Sequence, residues 1–274
     1  MEVTWYPAPG KLNLFLHVLE RRADGYHELQ TVFRLIDRAD RVGIGARADG
    51  KLNFDGPFGE ANLCLKAARL LQAKAAAKQG AELRLEKHLP VGGGLGGGSS
   101  DAATVLLVLN RLWQTGLNRE QLMKIGLKVG ADVPFFVYGS NAVGEGIGER
   151  LRPLDLGPAW YLVLVPQVSV STKETYASAL TGRSKPMKIP PFFPGLGRND
   201  LEAAVVARYP EVAAPLAWLR QRSPQARMTG SGACVFAEFE TKAQADAVQS
   251  QLPGGMSGWV AQGLARHPLH DWAE

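Results

Sequence analysis

The chain reads as an α+β protein built in two units, on three observations. Strand-like and helix-like stretches follow one another without the regular alternation of a doubly wound sheet. Six of the seven residues from Gly92 to Gly98 are glycine, and this run opens directly into an apolar helix. A second glycine-rich stretch, Gly139 to Gly148, leads into a crossing over Leu151 to Pro158. That crossing divides the 274 residues into a first unit of residues 1–150 and a second of residues 151–274.

The elements follow in order. Lys11 to Leu19 alternates with period two, so Lys11, Asn13, Phe15 and His17 share one face of a strand and Leu12, Leu14, Leu16 and Val18 the other. Lys11 and Asn13 then stand about 7 Å apart on that face. Asp24-Gly25 reads as a turn, with Tyr26 and His27 directly after it and a strand through Ile36. Asn62 to Lys78 is rich in alanine and leucine and predicts a helix, and Glu82 to Lys87 alternates leucine with charge, as a half-exposed strand does. Asp101 to Trp113 is apolar almost all round and predicts a buried helix, with Ser99, Ser100 or Asp101 as its N-cap.

A further helical pattern spans Asn118 to Val129, and Trp160 to Val165 is an apolar strand. Thr181 to Arg198, rich in Pro, Gly and Lys, reads as a long loop. Helices are expected near Asp200 to Arg208 and Val212 to Arg220, and a tight glycine turn from Thr229 runs into a strand through Phe239. Lys242 to Gln251 is helical, and Gly258 to Ala265 is a last strand.

Composition bounds the class. Apolar residues make up 46% and charged residues 21%, as in an ordinary soluble globular protein, and no apolar run reaches the ~18 residues of a membrane span. No signal peptide is visible at the start, and Cys64 and Cys234 form neither a metal spacing nor a disulfide framework, so a reducing cytoplasm is expected. The net charge of +5 is scattered rather than clustered, which argues against nucleic acid and suits a phosphorylated small substrate.

The glycine run carries the chemistry. Glycine contributes no packing and costs backbone entropy, so such a run needs a reason. Without Cβ atoms the main-chain N–H groups can curl round phosphate oxygens, and the following helix adds its unpaired N–H groups and dipole. Ser99 and Ser100 can add hydroxyl donors there, or bind a phosphate-held metal. A dinucleotide fold suits the chain poorly, because the strand before the loop is half-exposed and no second strand with a terminal acid follows the helix. A P-loop is excluded because Gly10-Lys11 and Gly50-Lys51 both precede leucine. The H-R-D and D-F-G elements of protein kinases are absent.

Three separated pieces converge on one family. Pro9-Gly10-Lys11-Leu12-Asn13-Leu14, the Pro90 to Asp101 loop and Thr229-Gly230-Ser231-Gly232-Ala233-Cys234 together resemble the superfamily of galactokinase, homoserine kinase, mevalonate kinase and phosphomevalonate kinase. Asp24-Gly25-Tyr26-His27 and Gly130-Ala131-Asp132-Val133-Pro134-Phe135-Phe136 sharpen this to the 4-diphosphocytidyl-2-C-methyl-D-erythritol kinase family. The resemblance implies a two-lobed small-molecule kinase with its active site in the interlobe cleft. It also implies ATP-dependent phosphorylation of the 2-hydroxyl of a substrate bearing a cytidine diphosphate group, in the non-mevalonate isoprenoid pathway.

By that resemblance Asp132, Lys11 and Asn13 are the catalytic group. Gly92, Gly93, Gly94, Leu95, Gly96, Gly97, Gly98, Ser99 and Ser100 would wrap the phosphates of ATP, with Asn62, Leu63 and Lys87 around the adenine. Tyr26 and His27 would hold the cytosine, with Tyr176 as the opposing ring. Mg2+ is expected from phosphoryl transfer in general, with Ser99 or Ser100 and water as its candidate ligands. Local sequence leaves other uses open. Asp132 before Val133-Pro134 also suits a helix N-cap, Asn62 a cap, Leu63 a core position, and Lys11, His27 and Lys87 the surface. Another kinase of the superfamily would not need the Tyr26-His27 pair. A non-catalytic nucleotide or RNA binder would show basic patches with interleaved aromatics, which the chain lacks.

Overall fold

The computed structural model describes residues 2–178 and 196–273, so most of the loop read over Thr181 to Arg198 lies outside the described residues. Its spine is a long antiparallel pair, β1 (Thr4–Arg21) and β2 (His27–Arg47). The two strands are joined at Asp24-Gly25, where Gly25 takes φ 87° and Asp24 Oδ1 accepts the Tyr26 N–H at 3.1 Å. The register shifts between Pro9 and Lys11, between Asn13 and Phe15, and between Val18 and Glu20. Such bulges bend a strand and re-aim its side chains. Strand β2 does not stop at Ile36 but runs on to Arg47, because β4 (Gly80–Glu86) pairs with Arg41 to Arg47.

Sheet order is β3 (Leu52–Asp55), β4, β2, β10 (Gly258–Leu264), β7 (Trp160–Leu164), β9 (Val235–Phe239) and β8 (Arg227–Met228). Strand β5 (Ala142–Gly146) also pairs with β2, and β6 (Arg150–Pro153) with β5. Helices α1 (Leu63–Ala75), α2 (Gly97–Leu112), α3 (Arg119–Val129) and α4 (Val133–Tyr138) accompany the first strands. Helices α5 (Thr172–Ala177), α6 (Glu202–Arg208), α7 (Pro210–Arg220) and α8 (Lys242–Gln249) accompany the later ones.

Helix α2 is apolar on all sides because it is enclosed on all sides: Ala102, Val105, Leu106, Val108 and Leu109 are each fully buried in one core with Leu35, Ala68, Leu83 and Phe136. A second core gathers Leu162, Leu201, Leu216 and Val235, and Leu16 and Val18 of β1 reach into it. The chain's last turn returns to the first core through Leu269 and Ala273, tied by Arg119 Nη2 donating to the His270 carbonyl at 2.8 Å. Among the described residues, the strands of the two halves of the sheet join where Gly263 and Leu264 of β10 pair with Ile36 and Leu35 of β2. Each unit therefore borrows a segment from the other.

One boundary needs correcting. Helix α2 begins at Gly97, with Gly96 as N-cap, so Ser99, Ser100 and Asp101 lie inside the first turns rather than capping them. Glycine propensity argues against a helix starting there. Burial of the rest of α2 and the contacts of the preceding loop override it.

Candidate active site

A cleft of about 1150 Å³ is lined by Lys11, Asn13, Tyr26, His27, Asn62, Leu63, Lys87, Asp132, Tyr176 and the whole loop from Gly92 to Ser99. That exceeds the usual volume of a single small-ligand pocket. Every expected site residue lines it except Ser100, which is fully buried beneath it.

The phosphate loop is clamped from behind. Ala233 and Cys234 donate their N–H groups to the carbonyls of Gly92 and Gly93, each at 3.1 Å. A Cβ on Gly94 would lie 2.2 Å from the Thr229 carbonyl oxygen, so only glycine permits this approach. Gly96, at φ 70°, turns the chain into α2 without any side-chain cap, and Ser100 N is the first to bond back, to Gly96 O at 2.9 Å. The opening N–H groups of α2 have no intrahelical partner and sit where the loop meets the cleft, together with the positive end of a 16-residue helix.

Lys11 and Asn13 lie between bulges of β1, both buried, with the Lys11 ammonium donating to Asn13 Oδ1 at 2.5 Å and to Gly94 O at 2.9 Å. Asp132 occupies the N-cap position of α4 but makes no cap hydrogen bond. Its Oδ2 stands 3.6 Å from Lys11 Nζ and its side chain is about one-third exposed to the cleft. Of the two uses left open by sequence, the cap is not made. Burial lowers the Lys11 pKa from its ordinary 10.5, and the Asp132 carboxylate opposes that shift.

Two threonines hold this pair: Thr31, which no motif singled out, and Thr229, which opens the C-terminal glycine motif. The Thr31 hydroxyl donates to the Phe15 carbonyl at 2.5 Å and accepts from Asn13 Nδ2 at 2.8 Å. A hydroxyl has one proton. With it spent on Phe15, the amide must turn its nitrogen to Thr31 and its oxygen to Lys11. Thr229 accepts the Asn13 N–H at 2.9 Å, linking the C-terminal turn to β1. We therefore expect Thr31→Val to lower kcat by roughly 10- to 100-fold, the cost of a misaimed catalytic group, and Thr31→Ser to restore it. Steady-state kinetics on both variants is the check. An equal loss in the serine variant would mean that the hydroxyl is not the cause.

Lys87 lies under the first turn of α2. Its ammonium contacts Asp40, and Asp101 Oδ2 at 2.8 Å. Asp40 Oδ1 also accepts the His88 and Leu89 N–H groups at 2.6 and 2.8 Å. Burial pushes the Asp101 carboxyl up to about 7 against the pull of Lys87. Burial also works against the Lys87 charge, but the two carboxylates outweigh it and hold its pKa above 10.5. Lys87 thus reaches the cleft wall with its charge already committed. Asn62 is likewise occupied: it caps α1 by accepting the Cys64 N–H at 2.8 Å and donates to Pro57 O at 2.9 Å.

At the other end, the His27 and Tyr176 rings stack with centroids 5.4 Å apart at 29°, beside an exposed Tyr26. Burial, then the nearby Arg21 charge, lowers the His27 pKa below 6.5. Burial, then the charge of Asp132, pushes the Tyr176 phenol up. The sequence reading also passed over Phe58, an exposed aromatic at φ 68° on the cleft rim. The available signal was a lone aromatic between Pro57 and Gly59 just before the α1 cap.

Comparison with known proteins gives the family. Residues 62–140 match the GHMP kinases N terminal domain, and residues 192–257 match GHMP kinases C terminal. The chain is 58% identical to a 4-diphosphocytidyl-2-C-methyl-D-erythritol kinase of Nitrosospira multiformis, over 98% of this chain and 94% of that one. It is 54% identical to the enzyme of the same name from Dechloromonas aromatica, over 96% and 98%. A crystal structure of 4-(cytidine 5'-diphospho)-2C-methyl-D-erythritol kinase superposes with TM-score 0.85 at 34% identity, over 95% of this chain and 99% of that one. A mevalonate kinase superposes at TM-score 0.69 with 12% identity, over 96% and 99%, a likeness of fold alone.

Proposed function

The chain belongs to the 4-diphosphocytidyl-2-C-methyl-D-erythritol kinase family of the GHMP kinases, and from that premise we propose that its cleft transfers the terminal phosphoryl group of ATP to the 2-hydroxyl of 4-diphosphocytidyl-2-C-methyl-D-erythritol. The activity is a step of the non-mevalonate route to isoprenoid precursors. The observation that carries the site reading is the uncapped Asp132 carboxylate, 3.6 Å from the buried Lys11 ammonium in the cleft lined by the phosphate loop.

Phosphoryl transfer needs in-line positioning and charge neutralisation more than covalent help. The 2-hydroxyl oxygen bonds to the γ-phosphorus as the bond from that phosphorus to the β–γ bridging oxygen breaks, and ADP leaves. Asp132 accepts the hydroxyl proton. Lys11, aimed by Asn13 and Gly94 O, neutralises charge on the transferred group. The backbone N–H groups from Gly92 to Ser99 hold the phosphates of ATP, and Leu63, with Asn62 and Lys87 at the cleft wall, flanks the adenine. Tyr26, His27 and Tyr176 receive the cytosine, for which the His27–Tyr176 stack must admit a third ring.

Among the described residues, no three His, Cys, Asp or Glu side chains cluster as a metal site. Mg2+ fits the oxygen donors present: Ser99 lines the cleft, and Ser100 Oγ is buried without a hydrogen-bond partner. Bound chiefly by the phosphates, the ion would neutralise their charge, with one of these serines as its protein ligand.

The division near residue 150 and a cytoplasmic setting belong to the same proposal. The two-residue contact of β2 with β10 supports the first. Two free, buried cysteines support the second. No helix among the described residues is long and apolar enough to cross a membrane.

The test is ATP consumption by the purified protein with 4-diphosphocytidyl-2-C-methyl-D-erythritol, run beside homoserine and mevalonate. Turnover with only the first is expected; turnover with another alcohol alone would remove the cytidine reading. The lowered His27 pKa adds a second expectation. The imidazole is neutral at pH 7 and gains a proton, losing its acceptor nitrogen, as pH falls through a pKa below 6.5. KM for the cytidine substrate should rise as pH falls, by about five- to tenfold once the imidazole is protonated, the worth of one hydrogen bond. KM for ATP should stay flat, and His27→Gln should abolish the difference in pH response. Equal pH responses of both KM values in the wild type would reject this role for His27.

A further inference from the structure

The charges that line the cleft do not balance, and the excess lies at one wall. Four cations face it, Lys11, Arg21, Lys87 and Lys173, against two carboxylates, Asp101 and Asp132. Lys11 is taken by Asp132 at 3.6 Å, and Lys87 by Asp101 at 2.8 Å together with Asp40. Among the described residues, Arg21 and Lys173 have no carboxylate within 4.0 Å. Of the acids near them in sequence, Glu20 is exposed and forms no ion pair with Arg21, Asp24 and Glu28 pair with Arg22, and Glu174 pairs with Arg208 at 2.7 Å.

Both free cations belong to the ring wall. Arg21 stands opposite His27 in the β1–β2 register, and its charge is felt at the imidazole. Lys173 is three residues before Tyr176 on α5, and the Tyr176 ring stacks on His27. The phosphates of ATP have their own cradle in the backbone N–H groups of the glycine loop, which needs neither cation. A cation pair left unpaired in a cleft attracts an anion.

We propose that Arg21 and Lys173 form a diphosphate subsite that grips the two phosphates joining the cytidine to the alcohol in the second substrate. The inference rests on the cytidine-substrate reading of the same cleft. A diphosphate diester carries two negative charges at neutral pH, one for each cation. Arg21 offers a planar fork to phosphate oxygens and Lys173 a movable point charge. An alcohol without phosphates gains nothing from either, so the pair selects for the diphosphate as the rings select for the base.

The experiment measures cytidine and cytidine 5′-diphosphate as inhibitors competitive with the alcohol substrate, at saturating ATP. It uses the wild type and the Arg21→Gln/Lys173→Gln variant. Two partly exposed ion pairs predict that the diphosphate binds about 20-fold tighter than cytidine in the wild type. That ratio should fall below about threefold in the variant and shrink with added salt in the wild type. The inhibition constant of cytidine and the KM for ATP should not move, a separation that a general loss of structure would not give. A diphosphate no tighter than cytidine in the wild type, or an advantage that persists in the double variant, overturns the subsite and leaves the base site standing. Failure of both inhibitors to compete overturns the cytidine reading and the subsite with it.

Discussion

Asp132→Asn lowers kcat by about three orders of magnitude, the middle of the range for loss of a general base, while ATP still binds. The amide keeps the shape of the carboxylate and cannot accept the proton of the attacking hydroxyl. The same variant separates the two uses of an Asp ahead of Val133-Pro134. A lost N-cap would cost about 1 kcal/mol of stability, but the Asp132 side chain makes no cap bond. The melting temperature should therefore stay within about 2 °C of wild type, since a 1 kcal/mol loss shifts Tm by roughly 2–4 °C in a chain of this size. Single-turnover kinetics and a thermal melt read both quantities. A variant that melts early and turns over at the wild-type rate would return Asp132 to a capping role.

The second large effect concerns the loop. Gly94→Ala places a Cβ 2.2 Å from the Thr229 carbonyl oxygen and 3.1 Å from that of Gly232, at φ +75°. Both obstacles are backbone and cannot step aside as a flexible side chain does. The left-handed conformation adds about 1–2 kcal/mol for any residue with a Cβ. Relief requires the loop to leave the Thr229 turn, and the Gly94 carbonyl that holds the Lys11 ammonium at 2.9 Å leaves with it. We expect kcat/KM for ATP to fall at least about 100-fold, as misplacement by an ångström does, together with a drop in Tm. Gly254→Ala is the control, since nothing lies within 4 Å of its Cβ; it should behave as wild type. ATP titration by calorimetry below the melting range reads binding apart from folding. Wild-type ATP affinity in Gly94→Ala would show that the loop does not need its clamp.

Much of the site was legible because its signals are local. Period two put Lys11 and Asn13 on one face, and the hydrogen bond between them follows from that face. Six glycines before an apolar helix pointed to an anion site. What stayed hidden depends on partners far apart in the chain. Asp40 meets Lys87 47 residues away, Thr229 meets Asn13 across 216, and Thr31 matters only because a hairpin folds it against Asn13. The start of α2 was missed for a related reason. Local propensity disfavours Gly97 and Gly98 in a helix, and only the packed body of α2 and the clamped loop before it carry the first turn.

Sequence by itself determined the class of the fold, the order of most of its elements and the glycine run that opens into an apolar helix, because periodicity, glycine content and motif spacing act over a few residues at a time. Tertiary structure decided what each of those residues is free to do. Asn62 is spent as a cap, Lys87 is held by two carboxylates, and Asp132, set where a cap would sit, is left facing Lys11. Whether a polar group is consumed by the fold or left for a substrate is settled by which partners come within hydrogen-bonding distance. That distance is fixed only when both lobes close around the cleft.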